Sequence, residues 1–244
     1  LTLDLSTKNK ILIARLLEGN FNYDDSPGQI MDLDRINDLF SNTFVKGTGQ
    51  RYLSADIALQ GADKFVIGIW NGFVLEKVYM IDKCKADEVE ARLKAEALEH
   101  RVPISNIVYD GDGVGSFLDG YLQGAYSFRN GSKALNEENY ANLKSQCAFK
   151  LATMVNDNEI FVKDDQYKEM IIEELEQIRQ KDIDTEGKLK IEEKKEVKKR
   201  LSRSPDISDM MIMRMIFVVK AAISTVDAGE EDSGLTTGIM EEVF

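Results

Sequence analysis

Apolar and polar positions along the chain change period several times, and each change marks an element. Residues 11–44 predict short helices and loops. "RLLEGNFNYDD" is a helix end stopped at Gly19-Asn20, and "DLDRINDLF" is a second helix with Ile36, Leu39 and Phe40 on one face. "KGTGQ" at 46–50 is a linker. The period then falls to two. In "RYLSADIAL", Leu53, Ala55, Ile57 and Leu59 share one face, and Tyr52, Ser54, Asp56 and Ala58 share the other. "KFVIGIW" and "FVLEKVYMI" follow, joined at Asn71-Gly72, a two-residue hairpin signal. Residues 85–100 return to the helical period, with Val89, Leu93 and Leu98 among the inward positions. "ISNIVYD" is a short buried strand that runs into the glycine loop "GDGVG", then into a helix through Phe117 and Leu122. "GAYSF" is a further strand, and helices over 140–155 and 166–180 flank "EIFVK". A charged hairpin, "DIDTEGKLKIEEKK", precedes Ser204-Pro205 and a last apolar helix reaching about residue 226. The Gly- and Glu-rich remainder is expected to be disordered.

Three strands, helix, strand, helix, strand, helix predicts an α/β fold, a mixed central sheet flanked by helices in the ribonuclease H-like order. Composition narrows the chemistry. Two cysteines far apart, Cys84 and Cys147, and a single histidine, His100, make a disulfide framework, a zinc site and His-based nucleophilic catalysis poor expectations. No apolar run is long enough to span a membrane, no signal-peptide pattern follows Leu1, and no GxxxxGK[ST] loop is present. These features predict a cytoplasmic protein, and the start at Leu1 suggests a piece of a longer chain. The formal net charge of -12 argues against a polyanion partner, but it averages over a strong asymmetry. Lys188, Lys190, Lys194, Lys195, Lys198, Lys199, Arg200 and Arg203 crowd one segment, whereas residues 227–244 carry acids and no base.

The candidate chemistry rests on carboxylates. Asp56 falls within a strand, where burial is costly unless the carboxylate is paired or metal-bound; a lysine or backbone N–H groups answering it is the structural alternative. Asp110 ends a buried strand, at the edge where open α/β sheets place ligands. The loop after it, with Asp112 as a competing acid, either cradles a phosphate or merely turns the chain. Asp206 and Asp209 open the last helix three residues apart, on one face. Ser204 reads as its N-cap and Pro205 as its first residue, so a capping role explains one of the two acids and leaves the other for a ligand. Carboxylates at these places can converge on one sheet edge, and oxygen-only donors select Mg²⁺ or Mn²⁺. Two such ions can activate water and steady the leaving oxygen of a phosphodiester. The basic segment is either a solvated face or a set of phosphate contacts beside the cleft. Trp70 reads as a strand-end core aromatic, and His100 as a partner for the last carbonyls of its helix.

The stretches "LLEGNF" at 16–21, "YLSADIALQGADKFVIGIW" at 52–70, "IVYDGDGVGSFLDGYL" at 107–122, "YANLKSQCAFKLA" at 140–152 and "KKRLSRSPDISDMM" at 198–211 resemble, in order, the nuclease domain of the large terminase subunit of tailed bacteriophages. The resemblance implies a two-metal endonuclease that cuts concatemeric double-stranded viral DNA during packaging. Asp56 and Asp110 would be the first two metal ligands, and Asp209, with Asp206 beside it, the third. It implies an ATPase motor preceding this chain, so that residues 1–46 are a joining segment, 47–227 the nuclease domain and 228–244 an acidic flexible tail. It also implies a portal and a small terminase subunit as partners, in the host bacterial cytoplasm and transiently at the procapsid. A resolvase- or transposase-like nuclease of the same fold, an actin-like kinase and a non-catalytic packaging module are the alternatives.

Overall fold

The structure, a computed structural model, describes residues 28–59, 63–82, 84–182 and 187–222. The helix expected near residue 11 and the expected acidic tail lie outside the described residues. The elements are α1 (Leu33–Asp38), β1 (Arg51–Asp56), β2 (Phe65–Asn71), β3 (Val74–Ile81), α2 (Ala86–Glu99), β4 (Ile107–Asp110), β5 (Tyr126–Phe128), α3 (Leu143–Asn156), β6 (Phe161–Val162), α4 (Lys168–Glu176), α5 (Lys194–Leu201) and α6 (Asp206–Arg214). One six-stranded sheet runs β5-β4-β1-β2-β3-β6. β1, β2 and β3 are antiparallel in turn, while β4 runs parallel to β1 and β5 parallel to β4. This is the ribonuclease H-like order expected from the sequence, with β6 added in parallel to β3.

Strand alternation sorts the side chains into two layers. Leu53, Ala55 and Ile57 join Phe65, Ile67 and Ile69 against Val89 and Leu93 of α2. On the other face Val66, Trp70 and Val108 pack with α3, α4 and α6. Trp70 is a core residue, as expected, and its Nε1–H donates to Ser54 Oγ at 2.9 Å. Since Asp56 shares the parity of Ser54, β1 directs it toward the α6 side. There α6 lies close to the sheet because β2 offers Gly68, where a Cβ would overlap the Met210 thioether. Residues 28–46, expected as a joining segment, are packed against this layer. Met31, Ile36 and Leu39 are buried, and the Leu39 carbonyl accepts from Val162 N–H at 2.8 Å.

Several local expectations shift. The β2–β3 turn is Gly72-Phe73, one residue beyond the predicted pair, because Asn71 still pairs with Val74. The helix expected over 166–180 stops at Glu176, and Gln180 instead bridges Ile191. The segment after 193, part of which was expected as a charged hairpin, is the helix α5. Leu98 points to solvent at 83% exposure. The inward stripe of α2 runs Val89, Leu93, Glu96, and its next position is residue 100 rather than 98. Ser204 does not cap α6: the helix begins at Asp206 after Pro205, and its Ser208 N–H is taken by Glu174 Oε2 of α4 at 2.7 Å.

Arg214, at the end of α6, is fully buried without a carboxylate partner among the described residues. Its Nη2 donates to the Gly72 carbonyl at 2.8 Å, and its guanidinium lies 3.6 Å from the Tyr52 ring centroid, with Trp70, Phe73 and Phe217 around it. Burial pulls its pKa down to about 10. The aromatic faces supply what an anion usually would, so the residue ties α6 to the β2–β3 turn. Arg214→Ala is expected to cost about 3 kcal/mol in urea denaturation, from a cavity plus an orphaned carbonyl. Arg214→Lys should recover only part of this, because an ammonium cannot stack as a planar guanidinium does.

Candidate functional site

The sheet order sets β1 beside β4, so the carboxylates at their C-terminal ends are neighbours, and α6 crosses the same edge with its first turn. Asp56, Asp206 and Asp209 are each at least nine-tenths buried, whereas Asp110 is partly exposed. The ammonium of Lys194, from the first residue of α5, sits among them. Its Nζ is 2.8 Å from Asp209 Oδ2 and 3.4 Å from both Asp56 Oδ2 and Asp206 Oδ1. Lys144 of α3 takes the remaining Asp209 oxygen at 2.6 Å. Asp206 Oδ2 accepts from the Lys64 backbone N–H at 2.8 Å.

Asp110 is aimed by its own loop. Its Oδ1 accepts from Asp112 N–H at 3.0 Å and from Asn130 Nδ2 at 3.3 Å. Asp112, the competing acid, is exposed and turned to Asn130, whose backbone and side-chain nitrogens both donate to its Oδ2. The loop glycines serve the turn itself: a Cβ on Gly115 would overlap the Asp110 carbonyl oxygen. Close packing on β4 is therefore a sufficient reason for that glycine.

Electrostatics separates the acids. Burial, with Asp209, Asp206 and Asp110 nearby, pushes Asp56 well above the ordinary carboxylate range against the pull of Lys194. Burial also raises Asp110, and the Asp112 N–H bond opposes it. Asp209 goes the other way: burial is outweighed by Lys144 and Lys194, and its pKa falls to about 2. Lys194 is buried too, but Asp209, Asp56 and Asp206 hold its ammonium protonated far above the usual lysine range. Four carboxylates thus share two ammonium groups. The cluster offers only oxygen donors, the type that hard divalent cations take, around the position that the Lys194 ammonium holds.

Of the eight basic residues singled out in the sequence, the structure scatters most. Lys194 lies inside the acid cluster. Lys198 pairs with Asp63, Lys199 with Glu196, Arg200 with Glu192, and Arg203 with Glu173 and Glu174. Lys188, Lys190 and Lys195 make no ion pair among the described residues. Sequence reasoning passed over Lys144, Glu174 and Asn130 entirely. For Lys194 a signal was present: in "KKEVKKRL" it lies three residues before Val197 and seven before Leu201, on the stripe that faces inward. Lys144 and Glu174 carry no such mark, since Asp209 lies 65 residues from Lys144, and Arg203 and Ser208 lie 29 and 34 residues from Glu174.

The strand order and the flanking helices together define a ribonuclease H-like fold. The chain is similar in fold to the nuclease domain of the large terminase subunit gp2 of bacterial virus Sf6, with a TM-score of 0.67 and 20% identity over 76% of this chain and 97% of that one. A lysine-to-alanine variant of that domain with manganese and beta-thujaplicinol matches with a TM-score of 0.67 and 19% identity over 76% of this chain and 97% of that one. The large terminase nuclease of thermophilic phage G20c with bound magnesium has a TM-score of 0.50 and 14% identity over 77% of this chain and 96% of that one. No protein-family model matches the chain, and no curated protein sequence matches it.

Two outcomes are expected of the groups around the acids. Replacing Lys144 with Met should raise the Asp209 carboxyl from about 2 toward the ordinary range, visible as a shifted carboxyl resonance in an NMR titration. Glu174 is buried, and its pKa rises to about 7 despite Ser208 and Arg203. The unfolded chain releases that proton near about pH 4.3, so between the two values the folded state binds more protons. Glu174's contribution to stability is therefore lost as pH rises through that window. Urea midpoints at pH 5 and pH 7 should differ less in Glu174→Gln than in the parent.

Proposed function

We propose that this chain is a metal-dependent endonuclease for double-stranded DNA, the cutting domain of a phage packaging terminase that resolves concatemeric genomes. The observation that carries the reading is the convergence of Asp56, Asp110, Asp206 and Asp209 on one sheet edge, within a fold shared with terminase nuclease domains. Two divalent cations, Mg²⁺ or Mn²⁺, held by these four carboxylates would supply an activated water and a counter-charge for the leaving oxygen.

The chain's own groups prepare that site. Asn130 and the Asp112 N–H fix the orientation of Asp110, and the Lys64 N–H fixes Asp206. Lys144 keeps Asp209 ionised, while Lys194 holds the position among Asp56, Asp206 and Asp209 with a charge of the same sign as a metal. Lys188, Lys190 and Lys195 are the members of the basic segment left to hold backbone phosphates, contacts that carry no base preference. In the assembly that the reading implies, an ATPase motor delivers DNA, with portal and small subunit as further partners, in the host cytoplasm and transiently at the procapsid. Among the described residues no helix is long and apolar enough to cross a membrane.

The test is incubation with supercoiled plasmid in Mn²⁺, Mg²⁺ or EDTA. Nicking and linearisation are expected with either metal, none with EDTA, and a loss of about 10²-fold or more in Asp56→Asn and Asp110→Asn variants that keep their circular dichroism. Absence of both cleavage and Mn²⁺ binding by calorimetry would leave a non-catalytic module. For the DNA contacts, replacing Lys188, Lys190 and Lys195 with Gln should weaken binding alike on unrelated sequences. It should also lower the slope of log affinity against log salt by about 1 per lysine; an unchanged slope would remove them from the interface.

A further inference from the structure

The last turn of α2 breaks the rule that its inward face is apolar. After Val89 and Leu93, that stripe continues with Glu96 and then His100, on the opposite face of the sheet from α6 and the acid cluster. Glu96 is 3% exposed. Its Oε1 is paired with Arg92 at 2.6 Å, but its Oε2 is sealed from solvent with no hydrogen-bond partner. That oxygen faces His100 Nε2 at 3.4 Å, and the same nitrogen is 3.1 Å from the Tyr79 hydroxyl of β3. Glu99 closes the group: one ligand atom from each of Glu96, Glu99 and His100 lies within 4.8 Å of the others. Glu99 also acts on Tyr79, whose hydroxyl is held above its usual pKa by burial and by the charges of Glu96 and Glu99.

A buried carboxylate oxygen without a hydrogen-bond donor is costly, and the second acid beside it, Glu99, adds to that cost. Residues at i, i+3 and i+4 of a helix place their donors on one side, as chelation requires. We infer that Glu96, Glu99 and His100 form a binding site for a divalent transition metal of the zinc type, with the Tyr79 hydroxyl as the fourth donor. One imidazole nitrogen among oxygens suits Zn²⁺ or Co²⁺ better than Mg²⁺, so this site differs in preference from the all-oxygen cluster at Asp56. Arg92 then balances the charge of the second Glu96 oxygen. Bound metal would pin the end of α2 to β3.

Calorimetric titration with Zn²⁺, and with Co²⁺ followed by its visible absorption, tests this in the Asp56→Asn/Asp110→Asn chain, where the acid cluster competes less. One equivalent should bind, with a Co²⁺ spectrum of low coordination number. Affinity should fall at least tenfold in both His100→Ala and the exposed-site variant Glu99→Gln, each checked for folding by circular dichroism. Retention of the wild-type chain's zinc equivalent in Asp56→Asn/Asp110→Asn separates this site from the acid cluster, whatever the nuclease assay gives. Unchanged affinity in folded Glu99→Gln and His100→Ala, or no bound equivalent, would overturn the site and leave Glu96 and His100 as an ion pair formed only by protonated histidine.

Discussion

The structure depends on keeping several carboxylates ionisable in a place where water is largely excluded. Asp56 sits on a central strand, and Asp206 and Asp209 sit on the first turn of a helix packed over that strand. Any one of them buried alone would simply take up a proton. The arrangement persists because Lys194 and Lys144 reach in from two other helices, α5 and α3, and because the Lys64 backbone fixes one oxygen. Two lysines do not neutralise four acids. Asp56 and Asp110 are accordingly held above the ordinary carboxylate range, while Asp209, with both lysines on it, is held below.

The packing of α6 sets where Asp206 and Asp209 stand in that cluster. Gly68 lets Met210 lie against β2, Glu174 takes the Ser208 N–H in place of a local cap, and Arg214 fastens the far end to the β2–β3 turn. The helix is held at both ends and along its length by groups from α4, β2 and a turn. Glu174 and Arg214 are themselves buried and ionisable, so the frame around the acids carries the same kind of electrostatic cost as the acids. A helix tethered this way cannot rotate independently of the sheet, which keeps Asp206 and Asp209 aimed at Asp56.

Much of this fold was legible in the sequence. Strict alternation in "RYLSAD" assigned faces that the structure keeps, and the strand–helix order carried the sheet topology, because short connections leave few ways to arrange such elements. The four aspartates were visible as acids in places where acids are expensive. The errors fell where local pattern and tertiary pairing compete. Ser204-Pro205 has the form of a helix start, yet the cap comes from Glu174, thirty-four residues before the Ser208 N–H that it takes. Leu98 looked inward by hydrophobicity, although the helical stripe passes through Glu96 to residue 100.

The sequence by itself determined the element order, the two faces of the sheet and the identity of the acids, since each follows from periodicity or from the cost of burying charge. Only the tertiary structure decided which charges meet. Lys194 shared its inward helical stripe with Lys198, and the spacing did not tell the two apart. Lys194 enters the acid cluster, while Lys198, Lys199, Arg200 and Arg203 are spent on surface or helix-to-helix pairs. Coulomb attraction acts through space, over a few ångströms, and the distance between two charges is not encoded in the spacing between their residues along the chain.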